Sequence, residues 1–225
     1  MDSRATVSLI LLAGGLGLRM GTSTPKQFLP LKNEPLALYS FHSLLASSLS
    51  FQEVVIVTPT LYRSLFQHPS YKILFADPGR ERHLSLYSGF QVLSHKVDFI
   101  LIHDAARPLV QKDDVKQLFE AAKEVGAATL ATPVTSTIKE GSETDLVIKT
   151  LNRKTLWDIQ TPQCLKSSLV EEGFKRVFQE NLTLTDDVSL AEILCHPVKL
   201  VTGSPKNFKV THPIDLHLAE LLLHE

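Results

Sequence analysis

An α/β fold, a mostly parallel sheet sandwiched by helices with one β-hairpin projecting from it, is what this sequence predicts. Short apolar runs recur along the chain, stretches with helical spacing lie between them, and one polar, β-branched segment breaks the alternation. Taken in order, residues 7–13 (VSLILLA) form an apolar run that stops at Gly14-Gly15, as expected of a strand buried on both faces. Residues 53–58, 73–76, 99–103 and 127–132 repeat the type. Leu36, Phe41, Leu44 and Leu45 make a helical stripe after Pro35. Val115, Leu118, Phe119, Ala122 and Val125 mark one face of a helix over 112–125, with Asp113 and Asp114 at its positive N-terminal end. Pro213 opens a last helix that carries Ile214, Leu218, Leu221 and Leu222 on one face. Residues 133–158 instead offer strands at 135–139 and 146–150 around Glu140-Gly141-Ser142-Glu143. Such a hairpin either folds back on the sheet or projects as an arm to another subunit. In a sheet of this kind ligands gather beyond the carboxyl ends of the strands, which selects the loops to read for chemistry.

The chain has 225 residues, 44% of them apolar and 21% charged, which fits one globular domain over 1–225 and excludes disorder. No repeat or Pro/Gly/Ser linker divides it. Cys164 and Cys195 are too far apart for a CxxC motif and too few for a disulfide framework, so a reducing compartment is expected. The apolar run at 7–13 is far short of the roughly 20 residues a bilayer needs and lacks the flanks of a signal peptide, so a cytoplasmic protein with no membrane partner is expected. A net charge of −1 argues against nucleic acid as a partner. The charge is nevertheless uneven. Residues 3–33 hold no acid but carry Arg4, Arg19, Lys26 and Lys32, and residues 193–214 hold none but carry Lys199, Lys206 and Lys209. Two such segments fit either convergence on one small anion or two solvated stretches.

The loop after the first apolar run, Gly14-Gly15-Leu16-Gly17-Leu18-Arg19-Met20-Gly21, with Pro25-Lys26-Gln27 behind it, joins glycines that let backbone N–H groups approach a phosphate to side chains that supply charge. It is not a dinucleotide fingerprint, because Met20 stands where GxGxxG needs its third glycine, and it lacks the Gly-Lys-Ser/Thr of a Walker A loop. After the run at 99–103 comes Asp104, whose hard oxygens at a strand end suit a Mg²⁺ held mainly by phosphates, unless Asp104 caps its turn and pairs with Arg107. His103 reads as a packed, hydrogen-bonded histidine, since no second histidine lies at metal-site spacing. Asp186 and Asp187 read as a helix start rather than a catalytic carboxylate pair. Neither GxSxG nor HExxH is present, so serine-hydrolase and zinc-protease chemistry have no support.

Together these residues resemble the 2-C-methyl-D-erythritol 4-phosphate cytidylyltransferase family. The resemblance rests on LAGGLGLRMG with PKQFLPL (12–31), HDAARP (103–108), STIK (136–139), NRKTLWDIQTPQ (152–163), TDDVS (185–189) and NFKVTHPIDL (207–216), in family order over nearly the whole chain. It implies a nucleotidyltransferase-type α/β fold (Rossmann-like, GT-A-like), CTP and a polyol phosphate as substrates, Mg²⁺ or another divalent cation as cofactor, and a homodimer joined through the 133–158 arm. By position, Ala13, Gly14, Gly15 and Gly17 match the loop around the triphosphate. Arg19, Lys26 and Lys209 match the catalytic cations, while Gly79 and Ser85 fall in the region that holds the nucleoside. Asp104 matches an acid facing both metal and substrate, and Arg107, Thr137, Arg153 and Thr161 match positions that hold the sugar phosphate, with Thr137 and Arg153 reaching a neighbouring subunit.

The implied reaction agrees with the residues present. A phosphate monoester, already ionised at neutral pH, attacks the α-phosphorus of CTP, so alignment and charge neutralisation suffice and no general base is needed. Three positions differ from the family pattern. Ala13-Gly14-Gly15 replaces Ala-Ala-Gly, Pro78 replaces a common glycine, and Ser136 replaces an Asp. The Ala-Gly-Gly form also occurs in ribitol-5-phosphate cytidylyltransferases, which makes ribitol phosphate the second reading. Ala105-Ala106, Leu156-Trp157 and Thr185-Asp186-Asp187 resemble the methylerythritol enzymes more closely and place that acceptor first. A nucleotide-binding module without turnover is the reading from another class. Three cations retained together argue against it.

Overall fold

The computed structural model describes residues 5–15, 21, 24–94 and 96–223. In chain order its strands and helices are β1 (Val7–Leu12), β2 (Pro30–Leu31), β3 (Glu34–Pro35), α1 (Leu36–Leu45), β4 (Phe51–Val57), β5 (Ile73–Ala76), α2 (Arg82–Val92), β6 (Phe99–Asp104), α3 (Lys112–Val125), β7 (Ala127–Pro133), β8 (Lys139–Gly141), β9 (Val147–Thr150), β10 (Trp157–Lys166), α4 (Ser167–Glu180), α5 (Ser189–Glu192), β11 (Lys199–Thr202) and α6 (Pro213–Leu222). Seven strands form the main sheet in the order β11-β7-β10-β6-β1-β4-β5. All its pairings are parallel except the two made by β10, which runs antiparallel to β6 and β7.

The apolar runs are strands because both of their faces are covered. Along β1, Leu9 and Leu11 enter the core with Phe41, Leu44, Leu118 and Phe119 of α1 and α3. Ile10 and Leu12 point the other way, against Leu86, Val170 and Phe174 of α2 and α4. This period-2 division explains why the sequence is apolar throughout rather than alternating. Helix α3 ends on Gly126 at φ 103, a left-handed position where glycine carries no steric penalty. Gly89 lets α2 lie close on the sheet, because a Cβ there would stand 2.7 Å from Val57 Cγ2 and 2.9 Å from Ile10 Cγ2. That approach sets the first turn of α2 over the strand ends.

Residues 133–158 contain the expected hairpin, with shorter strands than its β-branched pattern suggested. β8 pairs with β9 from Lys139↔Thr150 to Gly141↔Val147. The turn comes later, since Ser142 N–H donates to the Leu146 carbonyl and Ser142 Oγ accepts from the N–H groups of Thr144 and Leu146. Leu146, Val147 and Ile148 are 69%, 64% and 57% exposed, so the hairpin projects and its apolar tip is left uncovered by the described residues.

Candidate active site

Four parallel strands end along one edge of the sheet in hydrogen-bonded succession. Ala13 N–H donates to Val57 O, Thr58 N–H to Ala76 O and Ala105 N–H to Leu12 O. The edge therefore presents Ala13-Gly14-Gly15 after β1, Pro78-Gly79 beyond β5, and Asp104 at the end of β6. A Cβ on Gly14 would lie 2.2 Å from Pro78 Cβ, so the glycine loop and the Pro78 loop touch only because residue 14 has no side chain. Two of the positions that differ from the family pattern are thus in contact. A small residue at 14 accommodates a larger one at 78. Gly79 is equally confined, since a Cβ there would meet Leu84 Cβ at 2.5 Å, and its N–H donates to Ser85 Oγ at 3.0 Å. Ser85 is therefore next to Gly79 and fixes that loop.

Asp104 is the centre of the charged cluster. Its Oδ2 accepts from Lys209 Nζ at 2.6 Å, its Oδ1 accepts from Arg82 Nη1, and Arg82 Nη2 reaches Asp187 Oδ2 at 2.5 Å. Lys26 is buried and donates to the carbonyl of Val210, next to Lys209, at 2.6 Å. The two acid-free segments therefore do converge. Asp104 N–H donates to Thr161 Oγ1 at 3.0 Å, and Thr161 in turn meets His103 Nδ1 at 3.1 Å. His103 Nε2 faces the carbonyl of Arg107 at 3.2 Å, which only an N–H can satisfy, so Nε2 carries a proton and donates. Arg107 donates to the carbonyls of Asn207 at 2.8 Å and Ile159 at 3.1 Å.

Burial and ion pairing compete across this cluster. Burial opposes ionisation of Asp104, but Arg82 and Lys209 outweigh it and hold its carboxyl well below the usual carboxylate range. Burial likewise opposes the charge on Arg82, yet Asp104 and Asp187 raise its pKa above the ordinary value. Asp187 moves the other way, pushed up to about 6, chiefly by burial and also by the nearby Asp104 charge. Burial lowers His103 to about 4, which keeps the ring uncharged at neutral pH.

The structure thus brings Lys26, Lys209, Asp104, Arg107 and Thr161 together, with Ala13, Gly14, Gly15, Gly79 and Ser85 on the adjoining edge. Gly17 and Arg19 lie outside the described residues. Thr137 is exposed, and Arg153 donates to the Thr135 carbonyl of its own arm at 2.6 Å; no hydrogen bond or ion pair among the described residues ties either to Asp104. The helix-start reading holds for Asp186, whose Oδ1 accepts from Ser189 N–H and Oγ. Asp187 departs from it by pairing with Arg82, and Asp104 takes Arg82 and Lys209 rather than the Arg107 side chain. Sequence reading missed Arg82, because Arg80-Glu81-Arg82 looks like a solvated charge run. Only its place at the start of a helix after the Gly79 loop marks it. Among the described residues no group of three or more His, Cys, Asp or Glu could hold a metal. One carboxylate at Asp104 suits a Mg²⁺ that takes its other ligands from phosphates and water.

A glycine-lined strand edge beside a cluster of cations gathered around Asp104 defines an enzyme of the phosphate-handling, nucleotide-transfer class. Comparison with known proteins narrows this. The family described as "IspD: 2-C-methyl-D-erythritol 4-phosphate cytidylyltransferase" matches residues 7–225. The chloroplastic 2-C-methyl-D-erythritol 4-phosphate cytidylyltransferase of Oryza sativa subsp. japonica is 46% identical over 224 residues, covering 98% of this chain and 75% of its own. That of Chlamydia pneumoniae is 40% identical over 216 residues, covering 96% and 98%. The crystal structure of the Thermus thermophilus enzyme superimposes with a TM-score of 0.80 at 29% identity, covering 98% of this chain and all of that one. The chain belongs to the 2-C-methyl-D-erythritol 4-phosphate cytidylyltransferase family. No helix among the described residues is long and apolar enough to cross a membrane.

Proposed function

We propose that this protein transfers the cytidylyl group of CTP to 2-C-methyl-D-erythritol 4-phosphate. The observation that carries the reading is that Lys209 pairs with Asp104 at the glycine-lined strand edge while Lys26, from the other acid-free segment, reaches the carbonyl of the next residue, Val210. An oxygen of the acceptor phosphate forms a bond to the α-phosphorus of CTP, the bond from that phosphorus to the β-phosphate oxygen breaks, and pyrophosphate leaves with the electron pair. The acceptor oxygen is already ionised, so the protein has no proton to remove. Ala13, Gly14 and Gly15 line the triphosphate, and Gly79, held by Ser85, offers its backbone to the cytosine edge. Lys209, exposed over about a third of its side chain, is placed to turn from Asp104 to the phosphates, Lys26 supplies further positive charge, and Arg19 takes the same role by its match to the family's catalytic cation. A divalent cation on Asp104 would add Lewis-acid neutralisation of the triphosphate. Thr161 and Arg107 lie on the acceptor side.

The 133–158 arm supplies the neighbour's site with Thr137 and Arg153 in a homodimer. Support comes from its uncovered Leu146, Val147 and Ile148, because an isolated two-stranded hairpin is marginal in water and needs a surface to pack on. Initial rates of pyrophosphate release test the reading. CTP with the methylerythritol phosphate should react, whereas UTP, which presents an acceptor where cytosine presents an amino donor, and ribitol 5-phosphate should each be at least tenfold slower, as about 1.4 kcal/mol of discrimination gives. Equal turnover with ribitol 5-phosphate would overturn the acceptor assignment.

A further inference from the structure

Asp104 has two oxygens, and its two partners hold them very differently. Lys209 makes one contact, to Oδ2, from a side chain that is 37% exposed. Arg82 holds Oδ1 from a guanidinium whose other arm is anchored on Asp187, and the Asp187 side chain is 1% exposed. Asp187 is itself fixed, because its N–H and that of Val188 both donate to Gln163 Oε1, at 2.9 and 2.8 Å. Gln163 lies on β10 and pairs with Ile102 of β6, two residues before Asp104. The chain of contacts therefore closes on itself, from β6 through Arg82 at the start of α2, Asp187 and Gln163, back to β6. Lys209 lies outside this ring.

Resting on the cytidylyl-transfer reading above, we propose that Arg82 is a positioning residue: braced by Asp187, it fixes Oδ1 of Asp104, so that Oδ2 is the oxygen presented to a divalent cation and Lys209 is the partner released to the phosphates. A forked guanidinium is needed because two carboxylates must be held at once in fixed directions. A lysine at the same place keeps the charge but is a point donor on a flexible stem. Arg82 touches neither the metal nor the substrate in this account. It acts by limiting how Asp104 can turn, as the outer partners of metal ligands do.

The test compares wild type with Arg82→Lys and Asp187→Asn, each first checked for a cooperative thermal transition. Binding of Mn²⁺ in the presence of CTP, without acceptor, is read from water-proton relaxation, and binding of CTP without metal from calorimetry. Arg82→Lys preserves charge, so a purely electrostatic or purely structural role predicts unchanged Mn²⁺ affinity. The positioning role predicts about 10- to 100-fold weaker Mn²⁺ binding, with metal-free CTP binding unchanged within about twofold. The Mn²⁺ concentration giving half-maximal pyrophosphate release should rise by a similar factor. Lys209→Met should move the other way, binding Mn²⁺ at least as tightly as wild type because a competitor for Oδ2 is gone. Should Arg82→Lys not fold, Asp187→Asn, which loosens the brace, carries the same expectation. A folded variant with wild-type Mn²⁺ affinity overturns the positioning role while leaving cytidylyl transfer intact. Wild-type protein that binds no Mn²⁺ with CTP overturns the metal-bearing part of the parent reading and this inference with it.

Discussion

The contact between Gly14 and Pro78 makes a sharp prediction about two substitutions that are harmful or mild alone and compensate together. In Gly14→Ala the new Cβ would stand 2.2 Å from Pro78 Cβ and 3.0 Å from Pro78 Cγ. Ordinary carbon contacts begin near 3.5 Å, so the two loops must part by about 1 Å. A proline ring has little freedom to yield. Overpacking of this kind costs about 1–3 kcal/mol, which for a chain of this length lowers Tm by about 4–8 °C at the middle of the range. The same displacement moves the loop at 13–15 relative to the Pro78-Gly79 loop, the segments to which the proposed function assigns triphosphate and nucleoside, and a 1 Å error in alignment would lower kcat by about 10²-fold. Pro78→Gly alone should cost only about 0.4–1 kcal/mol, through added freedom of the unfolded chain. With both changes the clash disappears and the pair regains the commoner family pattern, so the double variant should recover most of the rate and all but the Pro78→Gly share of the stability. The assay is a double-mutant cycle on Tm and on pyrophosphate release, with an expected coupling of about 1–3 kcal/mol. Gly14→Ala behaving as wild type, or simple additivity in the double variant, would refute the reasoning.

Other outcomes follow from the same cluster. Lys209→Met should lower kcat by about 10²- to 10³-fold, by analogy with a lost oxyanion donor, with little change in Tm because the side chain is part-exposed; Lys26→Met should match that loss and also lower Tm, since it strips the Val210 carbonyl of a buried donor. His103, whose folded pKa is about 4 against an ordinary 6.5, loses about 3 kcal/mol of stability as pH falls through that window, because the unfolded chain takes the proton first. Asp187, raised to about 6, opposes it, since its folded form takes a proton before the unfolded one does and so gains stability as pH falls below about 6. Urea unfolding between pH 4 and 6.5 should therefore show a shallow dependence in wild type and, in His103→Gln, stability that rises toward acid; a slope identical to wild type would refute the assignment. Mixed heterodimers of Arg153→Ala and Lys209→Met, each nearly inactive alone, should regain part of the activity, because one of the two sites then has both groups; demonstrated heterodimers without recovery would mean that Arg153 serves its own subunit or none.

Much of this architecture was legible because the parallel strands, covered on both faces, must be apolar throughout: β1, β4, β5, β6 and β7 declare themselves in five runs. β10 did not. Its buried centre holds Gln160, Thr161 and Gln163, polar residues satisfied by partners distant in sequence, such as Asn207, Asp104 and the N–H groups of Asp187 and Val188. No local pattern announces a strand whose polar side chains are answered 24 to 57 positions away. The same physics divides the site. Lys26, Asp104 and Lys209 stood out by chemistry and place in the chain, whereas Arg82 and Asp187 acquire their meaning only from an ion pair spanning 105 positions. The Gly14–Pro78 contact was present as two separate oddities, and only the fold makes them one.

The central claim is that an acceptor phosphate oxygen attacks the α-phosphorus of CTP. It is tested most directly by phosphorus NMR of the reaction run with 2-C-methyl-D-erythritol 4-phosphate carrying ¹⁸O in its phosphate group. The account predicts a new diphosphate whose bridging oxygen carries the label, together with unlabelled pyrophosphate. Label in the released pyrophosphate, or CMP as the only nucleotide product, would contradict it.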